Sequence, residues 1–136
     1  MGALTGMDAA LYRDAAGATA TTLMTNVRDL KYPNSFAEAN TSRRGQAVST
    51  VKPTRRAIEV TWTMIGDDAD ADLTAIRNAF NNKTALAFLV LDKVAGKGVD
   101  GDFYVMKFDR NEPDEAEQTY DVVIKPAYIT RVAVPV

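Results

Sequence analysis

The chain has 136 residues, 46% of them hydrophobic, with 16 Lys and Arg against 18 Asp and Glu and a formal net charge of −2. That size and apolar content predict one domain over residues 1–136, burying roughly 65 to 70% of its extended surface. The near-neutral balance argues against a generally basic nucleic-acid binder and against an acidic disordered tail. There is no Cys and no His, which removes disulfides, thiol nucleophiles, most zinc sites and the commonest general base. No apolar run approaches the roughly 18 residues of a membrane span, and no basic stretch leads into an apolar one at the start. A soluble, unsecreted chain with no membrane partner is expected, and the opening MGALTG fails the myristoylation pattern because Gly6 stands at the Ser/Thr position.

In chain order, AALYRD (9–14) has the look of a short strand, and TLMTNVRDLKY (22–32) alternates with Leu23, Thr25 and Val27 on one face until Pro33 and Asn34 break it. A polar, basic stretch, EANTSRRGQAVSTVKPTRR (38–56), follows and is expected to be a long inter-strand loop over about 33–56. RAIEVTWTMI (56–65) is the clearest strand, with Ile58, Val60, Trp62 and Met64 facing a core and Glu59, Thr61 and Thr63 on the polar side. The period then changes. In GDDADADLTAIRNAFNN (66–82), Ala69, Leu73, Ile76 and Phe80 recur at helical spacing, and aspartates crowd the first turn where the helix dipole favours them.

ALAFLVL (85–91) is almost wholly apolar and predicts a strand covered on both faces, with the helix on one. AGKGVDGD makes a turn; DFYVMKFD (102–109) and TYDVVIKPAYI (119–129) are strands joined by the acidic RNEPDEAEQ, and Pro126 marks a bulge or a sheet edge. TRVAVPV adds a last strand. Seven or eight strands with one flanking α-helix predict a mainly β fold, an antiparallel sandwich or barrel.

Each candidate motif has a plainer explanation. Asp68, Asp70 and Asp72 match the start of a calcium loop, but Leu73 stands where its Gly belongs and Ala79 where its Glu belongs, so a charge-stabilised helix start accounts for them. AGKGVDG lacks the phosphate-loop spacing. Glu112, Asp114, Glu115 and Glu117 offer carboxylate pairs, yet in a polar loop nothing would raise the pKa of a general acid. Trp62 belongs to the core. No catalytic residue, cofactor or metal is expected.

Charge placement says more than any motif. From Lys31 to Arg56 there are six basic residues and one acidic, and from Asp109 to Asp121 six acidic and one basic. Opposed regions of this kind attract copies of a protein head to tail, a heterologous contact that gives rings or stacks. The basic set is Arg43, Arg44, Lys52, Arg55 and Arg56; the complementary set is Glu112, Asp114, Glu115 and Glu117.

The order of these features resembles the tail tube proteins of long-tailed bacteriophages. The resemblance runs from AALYRD through TNVRDLKYPNSFAEANTSRRGQ, AIEVTWTMI, LTAIRNAFNNK and LAFLVLD to GDFYVMKFDRNEPDEAEQTYDVVIKPA. It implies a β-sandwich with a flanking helix, assembled as hexameric rings that stack into a hollow tube conducting DNA from capsid to host without specific binding. It further implies that the long loop reaches neighbouring subunits, that inner strands join into a barrel around the channel, and that the chain resides in the virion tail after assembly in the host cytoplasm. Tail terminator, tape measure and baseplate or tip proteins are the implied partners, with a sheath in contractile tails. Glu59, Thr61 and Thr63 are the lumen candidates, and a channel wall that does not grip phosphates is expected to be net negative. A small sheet-based module using the basic 43–56 segment for nucleic acid or another ligand is the alternative.

Overall fold

The structure is a computed structural model and describes residues 9–45, 47–67, 69–112, 117–127 and 131–136. Its strands are β1 (Ala10–Ala15), β2 (Thr22–Leu23), β3 (Val27–Lys31), β4 (Asn34–Asn40), β5 (Val51–Ile58), β6 (Val60–Ile65), β7 (Ala85–Leu91), β8 (Gly98–Asn111), β9 (Thr119–Pro126) and β10 (Val134–Pro135), and the helix is α1 (Ala71–Asn82). The main sheet runs β2-β1-β7-β8-β9-β6-β3, with β10 also on β8, and β4 and β5 form a separate pair.

β2 and β3 end opposite sides of that strand order, yet three residues join them. Such a link spans no more than about 14 Å, so the sheet must roll until its ends nearly meet. Met24 N–H donates to Leu11 O at 2.9 Å and Ile65 N–H to Asn26 O at 3.1 Å, tying the crossing to both sides. The bend lies in β8, whose ladder to β7 stops at Tyr104 and whose ladder to β9 runs from Phe103 to Asn111 with an irregularity around Met106. The result is two layers. One holds β2, β1, β7 and residues 98–104 of β8; the other holds residues 105–111 of β8, β9, β6 and β3.

Between the layers lie Leu11, Phe88, Val90 and Phe103 from the first, Val60, Trp62, Met64, Val122 and Ile124 from the second, and Leu73, Ile76 and Ala79 from α1. Trp62 is 2% exposed and its ring tilts against Phe88 at 5.7 Å, so it is a core residue, with no hydrogen-bond partner for its Nε1 among the described residues. Ile58, Val60, Trp62 and Met64 are all buried, as their alternation predicts.

α1 starts two residues later than the pattern suggests. Asp70 caps it, accepting from Asp72 N–H at 3.0 Å and from Asn26 Nδ2 at 3.0 Å. Asp72 is itself buried and bridges to Arg13 of β1 at 2.7 Å. The aspartates thus act as helix start and strand anchor; Asp68 lies outside the described residues. Ala79, in place of the expected Phe80, completes the inward stripe, and Phe80 instead leans on Phe108 at the surface.

Three expectations are corrected. Residues 22–32 are not one strand: Met24 turns into the core, which sends β2 and β3 to opposite ends of the sheet. The run 56–65 is broken at Glu59, where the chain passes from the β5 ladder to the β6 ladder. Residues 33–56 are paired over most of their length, so the polar excursion is a β-hairpin arm and only 41–50 form a loop.

Candidate assembly surfaces

The arm extends the β3–β6 pair beyond the body. Asn34 sits opposite Ile58, Phe36 opposite Arg56 and Asn40 opposite Val51, with a bulge between Phe36 and Glu38. Seven residues of strand project about 20 Å. Of its two strands only Ile58 is buried. The tip is closed by Thr41 N–H to Thr50 O at 3.0 Å, Thr50 N–H to Ser42 Oγ at 2.7 Å and a 2.8 Å contact between the Thr41 and Thr50 hydroxyls. Gly45 turns the tip at φ +88°, a conformation that favours glycine.

All five basic residues singled out above lie on this arm. Arg43 and Arg44 are at the tip, and Lys52, Arg55 and Arg56 are on β5. Arg56 lies along the arm, donating from Nε to Asn34 Oδ1 at 2.9 Å and stacking 5.6 Å over Phe36, which stays 54% exposed. At the arm's root, burial raises the pKa of the Tyr32 hydroxyl above its ordinary value, and Arg56 works against that shift.

Glu112 and Glu117 of the acidic set lie at the other end of the second layer. β6 and β9 are antiparallel, with Val60 opposite Ile124 at the arm end and Ile65 opposite Thr119 at the far end, where β8 and β9 are joined. Glu112 there pairs with Arg110 at 2.7 Å and Glu117 with Arg28 at 2.6 Å, each acid about half exposed. Asp114 and Glu115 lie outside the described residues. Six residues of strand separate the two poles, roughly 17 Å.

Thr61 and Thr63 lie on the outward face of this layer, and Glu59 stands at the break beside them with its N–H 3.4 Å from Pro33 O. Register adds Arg28 and Lys31 of β3, Asp121 and Val123 of β9, and Lys107 and Asp109 of β8 to the same face. Thr63 donates to Asp121 at 3.1 Å, and Lys107 pairs with Asp109 at 3.2 Å. An open cleft of about 550 Å³ runs across it past Lys31, Thr61, Thr63 and Lys107. The face mixes both signs of charge and is not the acidic surface expected of it. Among the described residues no group of three Asp or Glu side chains is placed to hold a metal ion.

One polar cluster escaped the sequence. Asp102 is 0% exposed on β8 and accepts from Gly17 N–H at 3.0 Å and Arg131 N–H at 2.8 Å, while Arg131 also bridges Asp100 at 2.6 Å and donates to Ala18 O at 2.8 Å. These bonds tie the turn at Gly17 and Ala18 and the C-terminal segment, which runs beside β8 as β10, to Asp102. Only an adjacent Asp-Gly-Asp hinted at it.

Solved structures similar to the chain include the following three. A chain from the tail of an empty GTA particle, refined helically with C6 symmetry, matches at TM-score 0.75 and 19% identity over 93% of this chain and 96% of that one. A chain of the virion of a native gene transfer agent particle matches at TM-score 0.72 and 17% identity, covering 96% and 99%. The fold is shared with tail proteins. The SPP1 tail tube chain agrees, at TM-score 0.75 and 15% identity over 96% of this chain and 78% of that one. No protein-family model and no curated protein sequence matches the chain.

Proposed function

We propose that this chain is a structural subunit of a phage-type tail tube, six copies forming a ring and rings stacking into a hollow conduit for DNA, in the tail of a virion or related particle. The observation that carries this is the likeness in fold to a GTA tail chain of C6 symmetry and to the SPP1 tail tube chain, each over at least 93% of this chain's length.

The architecture supplies what such a role requires. The second layer has an open edge on each side: β3 at one, and residues 105–111 of β8 at the other, where no strand among the described residues continues the β7 ladder. Open edges are aggregation hazards in a monomer and become seams in a closed ring. The arm is a free-standing two-stranded hairpin, marginal in water by itself, and gains order from a neighbour. With Arg43, Arg44, Lys52, Arg55 and Arg56 at one end and Glu112 and Glu117 at the other, arms reach the acidic end of the next ring, where the sequence also holds Asp114 and Glu115. The face bearing Glu59, Thr61 and Thr63 lines the channel. Tail terminator, tape measure and baseplate or tip proteins are the further partners. The role is structural and calls for no catalysis.

Mass measurement and negative-stain imaging of the purified protein test this directly. Six-fold rings that stack are expected; monomer alone at high concentration, with no tubes, overturns the proposal. A salt-sensitive DNA shift by such a monomer would favour the binding module instead.

A further inference from the structure

The first layer also ends in two open edges, and their side chains match. Val134 sits opposite Asp100, Asp100 opposite Leu89, Leu89 opposite Tyr12 and Tyr12 opposite Leu23, so one row of residues crosses the layer from β10 to β2. At the β10 end, Val132, Val134 and Val136 alternate and are 59%, 51% and 51% exposed. These valines, Val134 in the edge strand and Val132 and Val136 flanking it, form an apolar stripe that no described residue covers. At the β2 end, Leu23 is 48% exposed and lines a groove of about 660 Å³ with Leu11, Met24, Val27 and Leu30, rimmed by Thr25, Arg28 and Asp29, where the rolled sheet fails to close.

β10 is held firmly enough to present that stripe. Val136 N–H donates to Gly98 O at 2.9 Å, Asp102 N–H to Arg131 O at 2.9 Å, and Arg131 is clamped between Asp100 and Ala18. Gly101 leaves room for it, since a Cβ there would collide with the Ala133 backbone.

The flanks also agree. β2 and β3 lie together on one side of the molecule because three residues join them, while β10 and the open half of β8 lie on the other. A neighbour that meets the second-layer seam therefore brings its β2 edge against β10. Successive antiparallel pairings make β2 and β10 run in the same direction, so a ring rotation sets them side by side. We infer that the Val132, Val134 and Val136 stripe of one copy packs into the Leu23 groove of the next, forming a second, outer seam within each ring. The inference rests on the tube proposal and commits to a second copy of this chain as the occupant.

The absence of native cysteine allows a direct test. Leu23→Cys and Val134→Cys, made as separate variants, mixed and mildly oxidised, should give a cross-linked dimer only in the mixture, because a disulfide needs Cα atoms within about 7 Å. Val134→Lys should keep the wild-type denaturation midpoint, its side chain being exposed, and lose rings at concentrations where wild type is fully assembled; adding Leu23→Glu should restore them. Cross-linking of Val134→Cys with itself, or Val134→Lys tubes in wild-type yield, overturns the outer seam and leaves the tube standing. A wild-type chain that never leaves the monomer overturns both.

Discussion

Asp102 shows how much one side chain can organise. Burying a carboxylate costs several kcal/mol unless charge and donors compensate it, and here Arg131 at 3.6 Å with two backbone N–H groups does so. Those partners come from residues 17 and 131, far apart in sequence, so the aspartate ties two distant segments to β8. Asp102→Asn keeps the shape but turns one acceptor into a donor facing other donors. Urea denaturation should show a loss on the order of 1–3 kcal/mol. Asp109→Asn, at a 57% exposed carboxylate in a surface pair, should stay within about 0.5 kcal/mol. Equal losses for the two would remove the anchoring role. Period-2 patterning did not reveal Asp102, because an aspartate alternating with Asp100 and Tyr104 has the signature of a solvent face until another segment is laid over it.

Among the elements, the β4–β5 arm is where the proposal separates folding from assembly. Because only Ile58 of its strands is buried, removing residues 39–53 should leave the denaturation midpoint of the subunit nearly unchanged and abolish tube growth. Circular dichroism and imaging decide; a deletion that unfolds the chain would show the arm to be part of the core. Arm amides should also exchange rapidly in the monomer and slowly in tubes, since few buried contacts restrain their opening. β6, α1, β7 and β9 were legible in the sequence because each has one buried face or two, and burial writes a period of 2, of 3.6, or an unbroken apolar run. The arm has no buried face, so its pairing left no pattern and its polar residues passed for loop. The 22–32 run fails for a related reason: Leu23, Thr25 and Val27 alternate, but Met24 between them is 5% exposed, and alternation cannot say which set faces inward when a crossing reverses the faces. Of the candidate site, the residue types and the opposed charges were legible, whereas the placement of the poles at opposite ends of one layer needed the β6–β9 register.

At the scale of the whole molecule, charge is, under the tube proposal, the control on both stacking and transport. Stacking through the arm is a contact between exposed groups, so it should weaken as salt shortens the screening length to about 8 Å at physiological ionic strength and less above it. Arg43→Glu subunits should form rings that fail to stack, a result visible by imaging. The channel requires the opposite property, indifference to phosphate. Each Lys or Arg contact with DNA releases counterions and adds affinity, and a tube repeats every contact many times. The face bearing Thr61 and Thr63, proposed above as the wall, mixes signs: Lys107 is paired with Asp109, and Asp121 is engaged by Thr63 and Asn111. Near-neutrality, then, is enough, and a wall so balanced is sensitive to a single reversal per subunit. Glu59→Lys places a cation in every subunit of the tube while touching no core residue, so tubes should assemble normally. DNA ejection from particles built with it should be slow or incomplete at low salt and recover as salt rises. Ejection at the wild-type rate in low salt would mean that this face points away from the channel.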